Sequence, residues 1–418
     1  MSTLVTLTKR QETGALATLT AIQFTHILDF MIMMPLGSQL MREFSLSPAA
    51  FSHLVAAYGV SAAVAGLISS LVLDRVSRRP ALLWLYVGFA ASTLFCALAP
   101  TAAILLVARS AAGTFGGVAS SVLSAYIGDI IPPERRGRAT GFVMTSFPIA
   151  SVLGVPVSLT LATRFSWHAP FVFLAACSVV IWVFAWRILP HIPRAEGARM
   201  GREQFVGLFT HGVHLRALAV TASLVLAGNC IIPFLAPSLV SNVGLTEQQL
   251  PLVYLAGGLA TLVSTPLVGR WSDAADKLHV IAWMSLLAGA VAFTITRLGP
   301  NPLWLAMVIT ALFMVGMSGR FGPCTAMVSN AIEARYRGGF MAINSSVQQA
   351  AAGAAQLLAG MLVTRDSSGR LVGLPTLGTL AVGMIALNLV LTWWLREAAP
   401  HAARTPPREA VVPIPEVD

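Results

Sequence analysis

Charged residues are scarce in this sequence: Asp, Glu, Lys and Arg make up 11% of its 418 residues, whereas 56% are hydrophobic. The mean hydropathy is +0.76. A soluble globular domain carries about 25% charged residues, mostly at its surface, so this composition excludes a water-soluble fold. The chain therefore belongs in a lipid bilayer.

Cysteine is also scarce, and its spacing excludes two further kinds of site. Cys96, Cys177, Cys230 and Cys324 fall in four separate apolar segments, without the close pairs that ligate metals. We expect them to be packing residues and predict no metal site and no cofactor. The sequence also lacks a G-x-x-x-x-G-K-[ST] motif, so it gives no indication of a nucleotide-driven pump.

Long apolar segments are what the sequence has in abundance. A helix needs about 20 residues to cross the hydrocarbon core of a bilayer, and such segments recur along nearly the whole chain. They predict an all-α membrane protein with twelve transmembrane helices, here called spans 1 to 12. The predicted spans are residues 15–40, 51–73, 81–98, 102–127, 139–161, 169–189, 217–240, 250–268, 280–296, 303–328, 340–363 and 373–395.

The distribution of basic residues predicts the orientation. An even number of spans places both termini on one side of the membrane, and cytoplasmic loops retain Lys and Arg during insertion. Most of the 27 Lys and Arg residues fall on the side of the termini, which predicts cytoplasmic termini in a multi-pass protein of a bacterial inner membrane. Because these charges are spread over many short loops, the net charge of +10 does not indicate nucleic-acid binding.

The chain divides into two halves around its longest polar stretch. We predict a cytoplasmic N-terminal segment at 1–14, a six-span bundle at 15–190, a cytoplasmic linker at 191–216, a second bundle at 217–396 and a disordered cytoplasmic tail at 397–418. The halves echo each other: Asp74 and Asp273 follow spans 2 and 8, and Arg136 and Arg337 follow spans 4 and 10. Such an echo indicates a duplicated unit with pseudo-two-fold symmetry.

The loop after span 2 carries the signature of a known family. It resembles the G-x-x-x-D-R-x-G-R-R motif of the major facilitator superfamily at Asp74, Arg75, Arg78 and Arg79, with Ser70 and Ser77 in place of the glycines. The resemblance implies two six-helix bundles and a cytoplasmic gate between them. In that gate Arg78 or Arg79 would pair with Asp129 or Glu134. The alternative is that these are solvated loop charges that serve only topology.

Spans 4 and 5 are similar to the drug:proton antiporter and sugar-efflux branch of that superfamily. Arg109 and Gly113 match its R-x-x-x-G-x-G pattern. In span 5, "GVP" and Trp167 match G-V-P-x-G followed by W-R, although Ser158 and His168 replace the last glycine and the arginine. Glycine and proline permit close helix packing and bending. We therefore assign packing or kink roles to Gly113, Gly154 and Pro156, and to Pro233 in span 7.

One carboxylate lies deep inside a predicted span, Asp29 in "FTHILDFMIMMP". A charge there costs several kcal/mol unless it is paired, hydrated or neutralised, and a nearby arginine opposes the effect of burial on protonation. Antiporters of the branch carry an acid followed by phenylalanine at this place, matched by Asp29 and Phe30, and that acid is implicated in proton coupling. We predict that Asp29 couples protons beside Arg109; the alternative is a structural helix-to-helix hydrogen bond.

Two further residues are candidates for the substrate cavity. Asn229 is the repeat counterpart of Asp29, which predicts a single titrating site, and it either contacts substrate or caps a helix break near Pro233. His26 lies one turn before Asp29. It could bind a metal with Asp29, relay protons, or be a histidine hydrogen-bonded to its neighbour.

Arg320 is a second deep cation, out of register with Arg109. Guanidinium binds carboxylate or phosphate bidentately, so Arg320 could recognise an anionic substrate group. The alternative is a contact from span 10 to span 4 or 11, made through Asn344, Gln348 or backbone carbonyls. Asn344 and Gln348 are also candidates for lining the substrate cavity.

The residues and the resemblance together predict a secondary active transporter rather than an enzyme. The leading hypothesis is a proton-coupled antiporter that exports a drug, sugar or metabolite by alternating access. Its partners would be a small-molecule substrate, protons and the lipid bilayer, and we expect a monomer. The alternatives are proton-coupled or facilitative uptake of an anionic metabolite, and a membrane sensor or scaffold that does not transport.

Overall fold

The structure, a computed structural model, describes residues 8–72, 77–132, 135–191 and 211–403. Eleven helices within these ranges are long and apolar enough to cross a membrane. The remaining span, Ala334–Leu362, contains 29 residues and packs along span 2. The all-α fold with twelve predicted spans is therefore confirmed.

The spans begin and end within a few residues of their predicted limits. In order they are Lys9–Ile32 continued by Gly37–Glu43, Pro48–Val72, Arg78–Ala97, Ala102–Ile130, Arg136–Arg164, His168–Ile188, Gly212–Asn229 continued by Ile232–Ser241, Leu250–Ala274, Lys277–Ile295, Leu303–Ala331, Ala334–Leu362 and Leu374–Ala398.

A short hairpin joins spans 11 and 12. Strand β1, Thr364–Arg365, pairs antiparallel with β2, Leu371–Val372. The sequence analysis missed it because two-residue strands carry no recognisable alternation of apolar and polar residues.

Spans 1, 5 and 7 are interrupted next to prolines. Span 1 stops at Ile32 and resumes at Gly37, around Pro35, and span 7 stops at Asn229 and resumes at Ile232, next to Pro233. In span 5 a π-helical turn, Ala150–Gly154, comes directly before Pro156. Proline lacks an N–H and its ring clashes with the carbonyl one turn earlier, which explains why each break falls there. The predicted kinks at Pro156 and Pro233 coincide with these breaks.

The hydrophobic core is shared between the halves at one end of the molecule and divided at the other. We call the end at which span 1 begins and span 12 ends the terminal side, and the other end the distal side. On the distal side a single buried cluster contains residues of both halves; within it the rings of Phe51 and Phe234 lie 6.2 Å apart. On the terminal side one cluster belongs wholly to the first half and another wholly to the second. The apolar closure between the halves is therefore distal.

Glycines mark the closest helix contacts of the first half. A side chain on Gly113 in span 4 would collide with the Tyr58 carbonyl and the Ser61 hydroxyl of span 2. A Cβ on Gly154 in span 5 would lie 2.8 Å from Leu28 Cδ1 in span 1. Gly113 thus allows span 2 to pack closely on span 4, which carries Arg109, and Gly154 allows span 5 to pack closely on span 1, which carries Asp29.

Candidate functional site

The two buried charges of the first half form an ion pair. Arg109 Nη1 in span 4 donates hydrogen bonds to Asp29 Oδ2 at 2.7 Å and to the Asp29 carbonyl at 3.1 Å. Thr93 Oγ1 in span 3 donates to Asp29 Oδ1 at 3.3 Å. Both charged side chains are fully buried. The predicted cation of Asp29 is therefore in contact with it.

The surroundings of Arg109 leave part of its hydrogen-bonding capacity unused. The guanidinium carbon lies 4.9 Å from the centre of the Tyr58 ring, a contact that the close approach at Gly113 permits. Its Nε and Nη2 have no hydrogen-bond partner among the described residues. A guanidinium that binds one carboxylate and one aromatic face still has N–H groups for another acceptor.

The pair lies toward the distal end of its spans. Asp29 is about one turn before Ile32, where the first segment of span 1 ends, and Arg109 is about two turns into span 4, which begins distally. Leu28, Ile32 and Ala108 beside the pair belong to the distal core shared by both halves. That core separates the pair from the distal surface.

His26 is enclosed by aromatic rings. It is 3% exposed, and its ring centre lies 4.4 Å from that of Phe89 and 5.6 Å from that of Tyr86, both in edge-to-face geometry. Neither ring nitrogen has a hydrogen-bond partner in the described chain, so the hydrogen bond to a neighbour that we considered is wrong. Within the described ranges, no three His, Cys, Asp or Glu side chains lie close enough together to hold a metal ion.

Asn229 occupies the corresponding place in the second half. Its Nδ2 donates to the Val225 carbonyl at 3.0 Å, a local bond at the end of the helix segment that precedes Pro233. Its Oδ1 accepts from Gln356 Nε2 of span 11 at 3.5 Å. Gln356 is fully buried and its Oε1 has no partner in the part of the chain that is described. Gln356 was not among the predicted site residues, although a lone amide in "AAAGAAQLLAG" indicates a buried polar side chain.

Arg320 contacts a different helix from the one we expected. Its Nη2 donates to Asn388 Oδ1 of span 12 at 2.8 Å. Asn388 Nδ2 in turn donates to the Val220 carbonyl and to Ser223 Oγ of span 7, each at 3.0 Å. The predicted contact with span 4 or 11 is therefore wrong. The signal that could have identified Asn388 is its position as the one polar residue in "IALNLVL".

The other residues on the same face of span 10 explain why the Arg320 side chain points toward span 12. Cys324 and Met327, one and two turns later on the same face, belong to the second-half core together with Leu395 of span 12. Span 10 therefore turns this face toward span 12. Asn344 is buried with no described hydrogen-bond partner for its Oδ1, and Gln348 is half-buried; Arg320 donates to neither.

The predicted gate residues divide into two groups. Asp74, Arg75 and Glu134 lie outside the described residues. Arg78 Nε is 3.5 Å from Asp129 Oδ2, the expected type of pair, but it joins spans 3 and 4 within one bundle. Arg79 donates to the Trp186 carbonyl at 2.5 Å at the end of span 6. These described contacts therefore stabilise the first bundle and do not join the two.

An ion pair that does join the halves lies on the distal side. Arg42 Nη1 and Nη2 donate to the two carboxylate oxygens of Glu247 at 2.8 and 3.2 Å. Arg42 lies in the last turn of span 1 and Glu247 precedes span 8, so the pair links segments far apart in the sequence. No sequence pattern indicates this pairing.

The comparisons with known proteins agree with this architecture. A family model described as the Major Facilitator Superfamily matches residues 19–224 and again 217–416. The chain belongs to that superfamily, and the predicted resemblance is confirmed. The protein is accordingly a membrane transporter and not an enzyme.

Individual relatives are distant, and two of the three described here match over most of their length. The chain is 26% identical over 350 residues to the uncharacterized MFS-type transporter YceJ of Bacillus subtilis, covering 82% of this chain and 87% of YceJ. It is 20% identical over 366 residues to a probable sugar efflux transporter of Helicobacter pylori, covering 86% and 88%. A multidrug resistance protein of Schizosaccharomyces pombe, fnx1, is 25% identical over 221 residues, or 52% of this chain and 41% of fnx1.

Solved structures match the fold. A bacterial homologue of the human lysosomal transporter Spinster, crystallised in an inward-facing and occupied conformation, superposes with a TM-score of 0.76 at 16% identity. The match covers 96% of this chain and 100% of the homologue. At this identity the likeness concerns the fold alone.

Proposed function

We propose that the protein is a proton-coupled antiporter that exports small organic molecules across a bacterial inner membrane. The terminal side is then the cytoplasmic side, in keeping with the bias of Lys and Arg toward it. Residues 15–190 and 217–396 are the two bundles that move against each other, joined by the linker 191–216. The observation that carries the proposal is the buried pair of Asp29 and Arg109.

The chemistry of the pair provides a means of coupling. The Asp29 carboxylate can hold either a proton or the Arg109 guanidinium, because protonation removes the charge that holds the ion pair together. Proton binding therefore releases the hydrogen bond from Arg109 Nη1 to Oδ2. Arg109 becomes available to a substrate acceptor, and substrate bound there favours loss of the proton.

The distribution of contacts between the halves supports alternating access. The shared core and the pair of Arg42 with Glu247 close the distal side, whereas the terminal side has two separate cores. Opening the distal side would require this shared core to separate into its two halves. The pair of Asp29 and Arg109 lies within the first bundle, so it can stay intact or be broken by protonation of Asp29 during that motion. Rigid-body motion of two bundles satisfies both requirements.

The direction and the substrate class rest on the relatives. Several relatives are named probable sugar efflux transporters, and fnx1 is named a multidrug resistance protein. Export of a sugar or a drug-like molecule is the proposal these names favour. The half-buried Asn229 and Gln348 and the buried Asn344 and Gln356 are the polar side chains we propose for the second-half wall of the cavity.

A second candidate function is uptake of an anionic metabolite, and Arg320 favours it. Its side chain is fully buried, and its described side-chain hydrogen-bond partners are the neutral Asn388 and Met317 rather than a carboxylate. A substrate carboxylate would neutralise this cation. The same observation also fits a structural role, in which Arg320 and Asn388 tie spans 7, 10 and 12 together.

Transport by the purified protein in liposomes tests these proposals. A radiolabelled monosaccharide panel, ethidium and lactate serve as probes, with pH gradients imposed in each direction and internal pH followed by a trapped dye. Antiport predicts probe movement opposite to proton movement, and uptake of an anion predicts lactate movement with protons.

Asp29→Asn should reduce gradient-driven transport by at least about tenfold, and Asp366→Asn, at an exposed distal acid, is the matched control. Proton-coupled transport that survives in Asp29→Asn would refute the coupling role of Asp29.

A further inference from the structure

His26 is buried without a hydrogen-bond partner, and the mechanism above does not use it. Its two ring nitrogens are unpaired among the described residues, and its ring is held between Tyr86 and Phe89 of span 3. A buried imidazole that only filled space could be replaced by an apolar ring at no loss of hydrogen bonding. The ring nitrogens therefore require an explanation of their own.

The position of His26 relative to Asp29 suggests a role for these ring nitrogens. Both lie on the buried face of span 1, and His26 is about 4.5 Å nearer the terminal side. Residues 13–28 contain no other titratable side chain. The shared core closes the distal side beyond Asp29, so a proton that reaches or leaves Asp29 in this arrangement travels past His26.

The path continues toward the space between the halves through Gln23. Gln23 precedes His26 by one turn and is partly exposed. It lies two turns before Phe30, on the same helix face, and Phe30 packs against Val225 of span 7 and Ala351 of span 11 in the other half. Gln23 therefore faces the second half, on the terminal side of that contact.

We propose that His26 relays protons between Asp29 and water on the terminal side, with Gln23 at the entrance to the path. One ring nitrogen of neutral His26 takes a proton from hydronium on the terminal side, and the proton on the other nitrogen passes to the Asp29 carboxylate, directly or through one water. Asp29 becomes a neutral acid and His26 returns to neutrality as the other tautomer. Release runs the same steps in reverse. This inference rests on the proposed coupling role of Asp29.

Few other ionisable groups face this path. Span 3 contributes Tyr86 and also Cys96, whose thiol interacts with Asp29 and Arg109; span 4 contributes Arg109, span 2 contributes Tyr58 beside Arg109, and span 6 brings Cys177 toward Tyr86. Span 5, which also packs on span 1, has no titratable side chain in residues 141–163. Among the side chains along this path, the His26 imidazole is the group type whose ordinary pKa lies near neutrality. It is therefore the group suited to fast proton transfer.

Infrared spectroscopy after a pH jump tests the relay without knowledge of the substrate. The full chain is purified in detergent, the carbonyl stretch of protonated Asp29 is followed in time after acidification, and Asp29→Asn assigns the band by removing it. His26→Gln and His26→Met should slow the appearance of the band by roughly a hundredfold. The final amplitude should change little, because the relay alters the rate and not the endpoint. Gln23→Leu should slow it as well.

The control is His53→Gln, at an exposed histidine of span 2, which should leave the rate unchanged. A folded His26 variant that acquires the Asp29 band at the wild-type rate would overturn the relay and leave the coupling role of Asp29 intact. If no band assignable to Asp29 appears at any pH, the proposed function fails and the relay fails with it. A purely structural histidine would alter stability but not the rate of Asp29 protonation.

Discussion

The pair of Asp29 and Arg109 makes a quantitative prediction about stability. Arg109→Gln removes the cation and leaves a carboxylate that is fully buried and holds one other side-chain hydrogen bond, from Thr93 at 3.3 Å. Breaking a buried ion pair by removing one partner costs about 3–5 kcal/mol, because the remaining charge is uncompensated. We expect the free energy of unfolding in detergent to fall by about that amount at neutral pH.

Two further variants show whether the loss comes from the buried charge. The double variant Asp29→Asn with Arg109→Gln replaces both charged groups by neutral amides, so it should recover most of the lost stability. Acidification should also reduce the loss in Arg109→Gln, since protonation of Asp29 removes the unpaired charge.

Reversible denaturation followed by tryptophan fluorescence, in a double-mutant cycle at two pH values, measures both effects. The reasoning would be refuted by an Arg109→Gln variant as stable as the wild type, or by a double variant no more stable than Arg109→Gln.

Two predictions concern contacts between helices. The Arg42 side chain is 67% exposed, so its pair with Glu247 contributes at most about 1 kcal/mol. Arg42→Gln should shift the population of distally open molecules by at most about fivefold, measured as the distance distribution between spin labels on the distal ends of spans 1 and 7, with Arg365→Gln as control. A shift much larger than about fivefold would contradict this estimate of the pair's contribution. Gly113→Ala should destabilise by about 1–3 kcal/mol, because its Cβ meets the backbone of span 2. Position 128 in the same span has open space around it, so Gly128→Ala should be neutral or slightly stabilising. Thermal denaturation of both variants measures the difference, and equal melting temperatures would contradict the close packing at Gly113.

The sequence predicted the features that depend on local composition. Apolar runs of membrane-spanning length determine where helices form, since the bilayer leaves the backbone no other way to satisfy its hydrogen bonds. Pro156 and Pro233 predicted where two of the spans bend, because proline removes a specific intrahelical hydrogen bond. Asp29 and Arg109 stood out because charges inside spans are costly, and their attraction predicted the contact that the structure contains.

The tertiary structure decided which helix faces are in contact, because the contacting faces depend on the rotation and tilt of each helix and not on its composition. Arg320 turns toward Asn388 of span 12 and away from Asn344 and Gln348, since its face also carries Cys324 and Met327 into the second-half core. Arg78 pairs inside one bundle, whereas Arg42 and Glu247, distant in sequence, join the two. The burial of His26 between two rings, and the division of the core into a shared distal part and two separate terminal parts, follow likewise from packing between distant segments that no local pattern encodes.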